Sequence, residues 1–353
     1  MSTTWIIIAL ALGFVVVFQI AKASEYVSIL RGEERTRKEN NRINAFLLLA
    51  FLIVGLVGVW WCHETLKGKL LGESASNHGD RIDTMLYMTT IITGIVFFIT
   101  QILLFWFSYK YQEKENQKPY YFPHNNKLEV IWTVIPAIVL TVLVGFGLYY
   151  WFQITGEAPK NALVVEVTGK QFSWEFRYPG KDGTFGKKYF KEISDAKGNP
   201  LGQIWTDPAN HDDIYATQDM HIVVNRPVKL IINAKDVIHD VGLAHFRMKM
   251  DAVPGIPTTM WFTPKFTTRE MRAKYGPEFT YEISCDQMCG KGHFSMRGTV
   301  IVETQAEYNA WLATQKPQYL TAMEGAKPAT APAAADSTVA ATNSVEVIKT
   351  TMN

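Results

Sequence analysis

Four long apolar runs, all within the first 153 of the 353 residues, most constrain how this chain can fold. A helix needs about 20 mostly apolar residues to cross the hydrocarbon core of a membrane, and the runs reach or approach that length. The sequence therefore predicts membrane-spanning helices at about residues 4–22, 44–63, 85–108 and 129–152. Beyond residue 153 the apolar segments are short and separated by turns and charges, which indicates a water-soluble region.

The first apolar run has two interpretations. It is short and is followed by Ala-Lys-Ala-Ser at residues 21–24, a pattern that resembles a signal-peptidase site. No basic residue precedes it, whereas a signal peptide begins with a positively charged region. We therefore expect a retained helix, with cleavage as the alternative.

Positive charges are concentrated in the first and third loops between these runs. Cytoplasmic loops of membrane proteins carry an excess of Lys and Arg, so we expect both loops in the cytoplasm. Four spans then place both termini and the soluble region on the extracytoplasmic side. The charges are Arg31, Arg35, Arg37, Lys38 and Arg42 in the first loop and Lys110, Lys114, Lys118 and Lys127 in the third.

The soluble region contains six short runs in which apolar and polar residues alternate, separated by Gly, Pro, Asn and Asp. This pattern predicts an antiparallel β-sandwich or barrel. Residues 180–213 are rich in glycine and charge, and we expect a surface excursion with one hairpin. Residues 321–353 carry little apolar bulk, and we expect a disordered tail.

The charge distribution excludes one class of partner. The formal net charge is only +2, and no basic cluster with interleaved aromatic residues is present, so nucleic acid is not expected to bind. Basic and acidic residues also nearly balance in the soluble region, which gives no sign of a strongly charged docking face.

A single motif carries most of the chemistry: Cys285, Cys289, His293 and Met296 follow the spacing C-x3-C-x3-H-x2-M between two strand-like runs. Thiolate, imidazole and thioether ligands together favour copper. A disulfide would leave the His and Met unexplained, zinc has no use for a thioether, and a c-type haem needs C-x-x-C-H. A single blue-copper centre uses one cysteine, so the second thiolate suggests a second copper.

A copper pair would need one further imidazole from elsewhere in the soluble region. His239 follows the run 228–234 and occupies a strand-ending loop, where β-sandwiches often place functional residues. His245 is a nearby competitor. His211 lies in the expected surface excursion and His221 in a strand, so both are less suitable.

Four segments resemble subunit II of the haem-copper cytochrome c oxidases: residues 128–137 (LEVIWTVIPA), 236–239 (DVIH), 249–255 (KMDAVPG) and 285–296 (CDQMCGKGHFSM). The resemblance covers about residues 80–320. It implies a transmembrane hairpin in 81–153 and an extracytoplasmic all-β cupredoxin-like sandwich in 154–320. This leaves extra N-terminal transmembrane helices in 1–80 and the tail in 321–353.

The resemblance also implies a binuclear copper centre of the CuA type. Cys285 and Cys289 would bridge the two coppers, and His239 and His293 would each bind one. The side chain of Met296 and the backbone carbonyl of Gln287 would be weak ligands.

Two further roles follow from the resemblance. Glu129 matches a glutamate at the cytoplasmic entrance of a proton path into subunit I. Phe172 matches the tryptophan that accepts the electron from cytochrome c, and Trp174 matches a later tryptophan of the same segment. The implied function is to pass electrons from a cytochrome c to haem in subunit I, where oxygen is reduced to water and protons are translocated. This chain lacks residues for the oxygen chemistry.

The chain departs from the family pattern in three respects. Gln287 stands where a glutamate usually helps to bind magnesium at the subunit I interface, and an amide is a poorer ligand, so magnesium is not assigned. Phe172 lacks the usual indole, so we expect a dedicated cytochrome partner that docks mainly through apolar contact. The extra helices suggest contacts with other oxidase subunits or a neighbouring respiratory complex.

The expected location is the bacterial cytoplasmic membrane, with several spans and an extracytoplasmic copper domain. Two other functions share part of the pattern. Nitrous oxide reductases carry the thiolate loop, but they are soluble and contain a large propeller. A copper-free quinol oxidase subunit or assembly scaffold would lack the ligands that are present here.

Overall fold

The N-terminal part of the protein is helical. The computed structural model describes residues 3–69, 72–114 and 117–325. Within these residues the apolar runs lie inside helices that are longer than the predicted spans, because the flanking residues are also compatible with helix. The helices are α1 (Thr3–Arg31), α2 (Glu33–Leu66), α3 (Gly79–Lys110) and α4 (Asn126–Thr155).

The basic segment that follows the first apolar run is helical rather than a loop. Gly32, whose φ of 87° suits a residue without a Cβ atom, separates α1 from α2. Opposite charges four residues apart support the start of α2, as in the pair Arg35–Glu39 at 3.4 Å. Pairs of this kind favour helix over an extended loop in the charged segment.

Three described helices are long and apolar enough to cross a membrane: α2 from Glu34, α3 and α4. They contain 30 to 33 residues in these spans, and at a rise of 1.5 Å per residue they exceed the roughly 30 Å of hydrocarbon. Their ends therefore extend into the interfacial regions. The first predicted span lies within α1, and its retention stays a prediction.

The soluble region forms two five-stranded β-sheets. The first has the strand order β3-β2-β1-β5-β8 and the second the order β4-β10-β9-β6-β7. The strands are β1 (Leu163–Lys170), β2 (Ser173–Tyr178), β3 (Ile214–Thr217), β4 (Asp219–Val223), β5 (Val228–Ala234), β6 (His239–Leu243), β7 (Met248–Ala252), β8 (Thr258–Phe262), β9 (Tyr281–Cys285) and β10 (Arg297–Glu303).

The prediction of antiparallel pairing is wrong at two strand pairs. β1 pairs with β5, and β4 with β10, in parallel. Parallel neighbours cannot be joined by a tight hairpin, and here long stretches of chain separate both pairs. Alternation within each strand identified the strands but could not reveal this pairing.

The core of the β domain consists of side chains from the inner faces of both sheets. Val165 and Leu230 from the first sheet and Val241, Ile283 and Val300 from the second have no exposed surface. Every second residue of β5 is buried from Val228 to Ile232, in agreement with the alternating pattern. The domain therefore contains its own apolar core.

The loop that joins α2 to α3 contacts the β domain. The Ser76 hydroxyl donates to the carbonyl of Phe246 at 2.6 Å. Next to this loop, Arg247 donates to both carboxylate oxygens of Asp83 near the start of α3, at 2.8 and 3.2 Å. Because this loop and the β domain touch, they lie on the same side of the membrane, which agrees with the orientation expected from the loop charges.

A second compact unit comprises residues 178–215 and the described residues from 314 onward. Isolated bridges Lys188↔Gln203 and Ser194↔Asn199 give its first segment the character of an irregular hairpin.

Three shorter helices occur in the later part of the chain. The helix α5 (Thr268–Tyr275) lies between β8 and β9, and α6 (Gln305–Thr314) and α7 (Gln318–Gly325) follow β10.

The predicted tail of residues 321–353 begins as helix. Residues 321–325 belong to α7, which the Gln318 side chain fixes by donating to the carbonyl of Gly198 at 2.6 Å. Ala322 is buried, so the small side chains of this segment pack rather than remain in solvent. The rest of the predicted tail lies outside the described residues.

Candidate metal centre

The sheet topology brings the two segments with predicted metal ligands side by side. Cys285 is the last residue of β9 and His239 the first residue of β6, and these strands are neighbours. The loop from 286 to 296 then makes a short 3₁₀ turn at His293–Ser295 before β10 begins. Residues 46 positions apart in the chain therefore meet at one edge of the domain.

Two thiols and two imidazoles form the centre of the site. The Sγ atoms of Cys285 and Cys289 lie 3.7 Å apart, so the sulfurs are not bonded to each other, since a disulfide measures about 2.05 Å. Nδ1 of His239 is 3.8 Å from Sγ of Cys285. Nδ1 of His293 is 3.7 Å from Sγ of Cys289.

Two weaker donors complete the set. The backbone carbonyl oxygen of Gln287 lies 3.2 Å from Sγ of Cys285. The thioether sulfur of Met296 lies 3.9 Å from Sγ of Cys289, and its side chain is fully buried. The structure thus brings together all six residues that the sequence singled out as metal ligands.

The environment of the thiols controls when they can bind a metal. Both cysteines are buried, and burial together with the neighbouring Cys285 raises the pKa of Cys289 to about 11. The thiol is therefore protonated at neutral pH, and a metal must displace its proton. Soft sulfur donors combined with imidazoles suit copper, so the residues fit that metal.

The competing histidine lies elsewhere. His245 is in a short 3₁₀ turn, and its ring makes edge contacts with Phe279 at 5.0 Å and Tyr281 at 5.6 Å between ring centroids. Burial and the charge of Arg247 lower the pKa of His245, which favours its neutral form. His245 therefore packs as an aromatic ring. Among the described residues, the group that could hold a metal consists of His239 and the two cysteines.

Asp236 fixes the orientation of His239. Its Oδ1 atom lies 2.8 Å from Nε2 of His239, which is fully buried. Burial opposes its ionisation, but hydrogen bonds from the Gln171 backbone N–H and from His239 hold the pKa of Asp236 below its usual value. An ionised Asp236 accepts a hydrogen bond from the Nε2–H of His239. The Nδ1 atom then keeps its lone pair, which is directed at Cys285. Sequence analysis did not assign a role to this aspartate, although it begins the segment DVIH.

The turn between β1 and β2 covers one side of the site. Trp174 is buried, and its ring centroid lies 6.1 Å from that of His239. Phe172 is 37% exposed. A Cβ atom at Gly292 would lie 2.4 Å from Cγ of Phe172, so the copper-ligand loop passes directly beside this ring. Phe172 therefore joins the protein surface to the ligand loop.

Lys249 contacts two carboxylates, that of Asp240 on β6 and that of Asp286 at the start of the ligand loop. Burial and a hydrogen bond with Asp251 raise the pKa of Asp240 to about 7, while Lys249 opposes the shift. Lys249 Nζ lies 3.6 Å from Asp286. The Gln287 side chain is exposed. The contacts among these charged residues do not involve that side chain, so magnesium stays unassigned.

Glu129 is separate from the metal centre. It occupies the first turn of α4, where the Asn125 side chain caps the helix by accepting from the N–H of Leu128 at 3.0 Å. Its side chain is exposed. This end of α4 is the one farthest along the helix from the β domain, as expected for a cytoplasmic position.

Comparison with known proteins covers both parts of the chain. Residues 67–149 match the transmembrane domain of cytochrome c oxidase subunit II, and residues 163–304 match its periplasmic domain. The alternative cytochrome c oxidase subunit 2 of Bradyrhizobium diazoefficiens is 35% identical over 276 residues, which is 76% of this chain and 91% of that protein. Cytochrome c oxidase subunit 2 of Cereibacter sphaeroides is 30% identical over 64% of this chain and 73% of its own.

Among solved structures, the periplasmic domain of subunit II of cytochrome oxidase from Bradyrhizobium japonicum is 25% identical. It covers 46% of this chain and 99% of that domain, with a TM-score of 0.32. Two predictions are confirmed: the family, and a cupredoxin-like sandwich that follows the membrane helices in the chain. The chain belongs to the subunit II family of the cytochrome c oxidases.

Proposed function

We propose that this chain is the electron-accepting subunit of a respiratory terminal oxidase. It takes electrons from a cytochrome c and passes them to haem in subunit I, where oxygen reduction drives proton translocation. One observation carries the proposal: two buried thiols lie 3.7 Å apart, and each has an imidazole nitrogen within 3.8 Å. A single blue-copper centre would leave one thiol without a function.

The two cysteines would bridge a copper pair, with His239 and His293 as terminal ligands and Met296 and the Gln287 carbonyl as weak ligands. When bound, the pair supplies a one-electron redox centre whose charge is shared by both metals. The residues themselves exclude water, because both thiols and Met296 are buried. Asp236 holds His239 in the orientation required of a ligand.

The donor would approach over Phe172. This ring is partly exposed, and it lies beside the ligand loop. Trp174 is buried against His239 and would extend the aromatic contact inward. We expect docking mainly by apolar contact, so the association rate with the cytochrome should change little with ionic strength.

The membrane part would join this site to the rest of the complex. Glu129 would lie at the cytoplasmic entrance of a proton path into subunit I, and α3 and α4 would pack against that subunit. The additional helices α1 and α2 would contact further oxidase subunits or a neighbouring respiratory complex. The protein would be located in the bacterial cytoplasmic membrane, with the β domain outside.

Reconstitution of the full-length chain in detergent with copper tests the proposal. We expect two coppers per chain and a mixed-valence spectrum with seven hyperfine lines, since one electron is shared by two equivalent nuclei. A single-copper spectrum, or no bound copper, would overturn the proposal. Cys62→Ser is the control variant, because Cys62 is an exposed free thiol on α2. This variant should still bind two coppers.

A further inference from the structure

Gln171 contacts both segments that carry the proposed copper ligands. It lies in the two-residue turn between β1 and β2. Its side-chain Nε2 donates to the backbone carbonyl of Cys289 at 2.5 Å. Its backbone N–H donates to Oδ2 of Asp236 at 2.7 Å, and the other oxygen of Asp236 holds His239. One residue thus bridges the His239 segment and the Cys289 segment.

The ligand loop is shaped to admit this contact. Gly290 has a φ of 132°, a conformation that favours glycine, and a Cβ atom there would lie 2.9 Å from Nε2 of Gln171. A Cβ atom at Gly292 would overlap the ring of Phe172. The two glycines therefore let the loop lie flat against the turn that carries Gln171 and Phe172.

The loop needs such support because strand pairing fixes only its ends. The N–H of Cys285 donates to the carbonyl of Met296 at 3.1 Å, which closes the base of the loop. Cys289 lies between these ends in irregular backbone, and His293 begins the short 3₁₀ turn. Side chains in irregular backbone are less precisely placed than those on strands, unless other contacts hold them.

We propose that Gln171 is a positioning residue of the copper centre, and this proposal rests on the function proposed above. Its amide fixes the distance between the His239 segment and Cys289 before any metal binds. Gln171 is exposed rather than part of the core. Its replacement should therefore change the site without unfolding the domain.

The test uses the full-length chain with Gln171→Leu, which keeps the backbone bond to Asp236 but cannot donate to Cys289. In the metal-free chain we expect faster amide hydrogen exchange in residues 286–293. In the copper-loaded chain we expect altered hyperfine splitting and copper affinity lowered by about 10- to 100-fold, the range for residues that orient metal ligands. Unfolding temperature should stay unchanged.

Two further variants sharpen the test. Gln171→Glu has nearly the same shape but presents an acceptor to the Cys289 carbonyl, and we expect an effect at least as large as that of Gln171→Leu. Gln305→Leu is the control, because the Gln305 side chain donates to Asn309 and accepts from Arg226, and neither partner belongs to the ligand loop. If Gln171→Leu lowers the unfolding temperature, the near-isosteric Gln171→Glu decides whether Gln171 positions the copper ligands.

Wild-type exchange and copper release in both Gln171 variants would overturn the proposal. Failure of the wild-type chain to bind two coppers would instead overturn the proposed function. The exchange measurement on the metal-free chain would still show whether Gln171 holds the loop. The two failures are therefore distinguishable.

Discussion

The β domain and the membrane helices bury their apolar residues in different ways. In the β domain, side chains such as Val165, Leu230 and Phe262 have no exposed surface. In α4, no residue is buried, although the helix is strongly apolar. The β domain thus supplies its own core and a complete set of candidate ligands. The helices depend on lipid and on other oxidase subunits to cover their surfaces.

This difference predicts that the largest loss at the metal site leaves the fold intact. Cys289→Ser removes one of the two sulfurs proposed to bridge a copper pair, and we expect the pair to be lost, with affinity lowered by more than about 100-fold. The circular dichroism of the β domain should not change, because Cys289 lies in a loop outside the sheets. Metal content and paramagnetic resonance measure the effect. A variant that keeps two coppers would contradict the bridging role.

A matched pair of leucines tests the comparison directly. Leu230→Ala empties a fully buried site in β5 and should lower the free energy of unfolding by about 2–5 kcal/mol. Leu140→Ala on α4, where Leu140 is 60% exposed, should change it by no more than about 0.5 kcal/mol in detergent. Urea unfolding of the full-length chain measures both. Equal effects would show that the helices also form a self-contained core.

The same contrast explains how much could be predicted from the sequence. Hydropathy predicted the positions of the spans. The four side-chain ligands other than His239 lie within one 12-residue segment, so local spacing was sufficient to identify them. The choice of His239 over its competitor His245 required the family resemblance, because the contact of His239 with Cys285 depends on the pairing of β6 with β9. Gln171 was missed for the same reason, since its partners lie in two other turns.

Strand prediction failed where polar residues obscure the pattern. β6 begins with His239 and Asp240, yet all five of its residues are buried. His239 is a candidate ligand of the site and Asp240 is also polar, so the alternation of apolar and polar residues does not show there. β7 pairs with β6 and carries two acidic or basic side chains among its five residues, which obscured it in the same way.

A smaller effect is expected at the junction between the two regions. Asp83 of α3 and Arg247 of the β domain form a bidentate pair whose side chains are 23% and 14% exposed. A double-mutant cycle with Asp83→Asn and Arg247→Gln should give a coupling energy of about 1–2 kcal/mol. The exposed pair Arg269–Glu307, on α5 and α6, is the control and should give less than about 1 kcal/mol. No coupling at Asp83 would mean that the two regions are energetically independent.

The smallest expected effect is the pH dependence of stability that His245 causes in the β domain, next to Arg247. Burial, followed by the charge of Arg247, lowers the pKa of His245, while Glu282 partly offsets the shift. The unfolded chain, with a histidine pKa of about 6.5, therefore binds a proton more readily than the folded chain. Stability should fall as pH drops through about 6.5, because the unfolded state gains more protons.

His245→Phe should remove this part of the pH dependence and keep the ring contacts with Phe279 and Tyr281. The decisive measurement is the difference in unfolding free energy between variant and wild type at pH 7 and pH 5.5, because contributions from other titrating groups cancel in it. The variant should gain stability relative to wild type at the lower pH. A constant difference would show that His245 has the same pKa in the folded and the unfolded chain, and that its buried aromatic surroundings do not oppose an imidazolium.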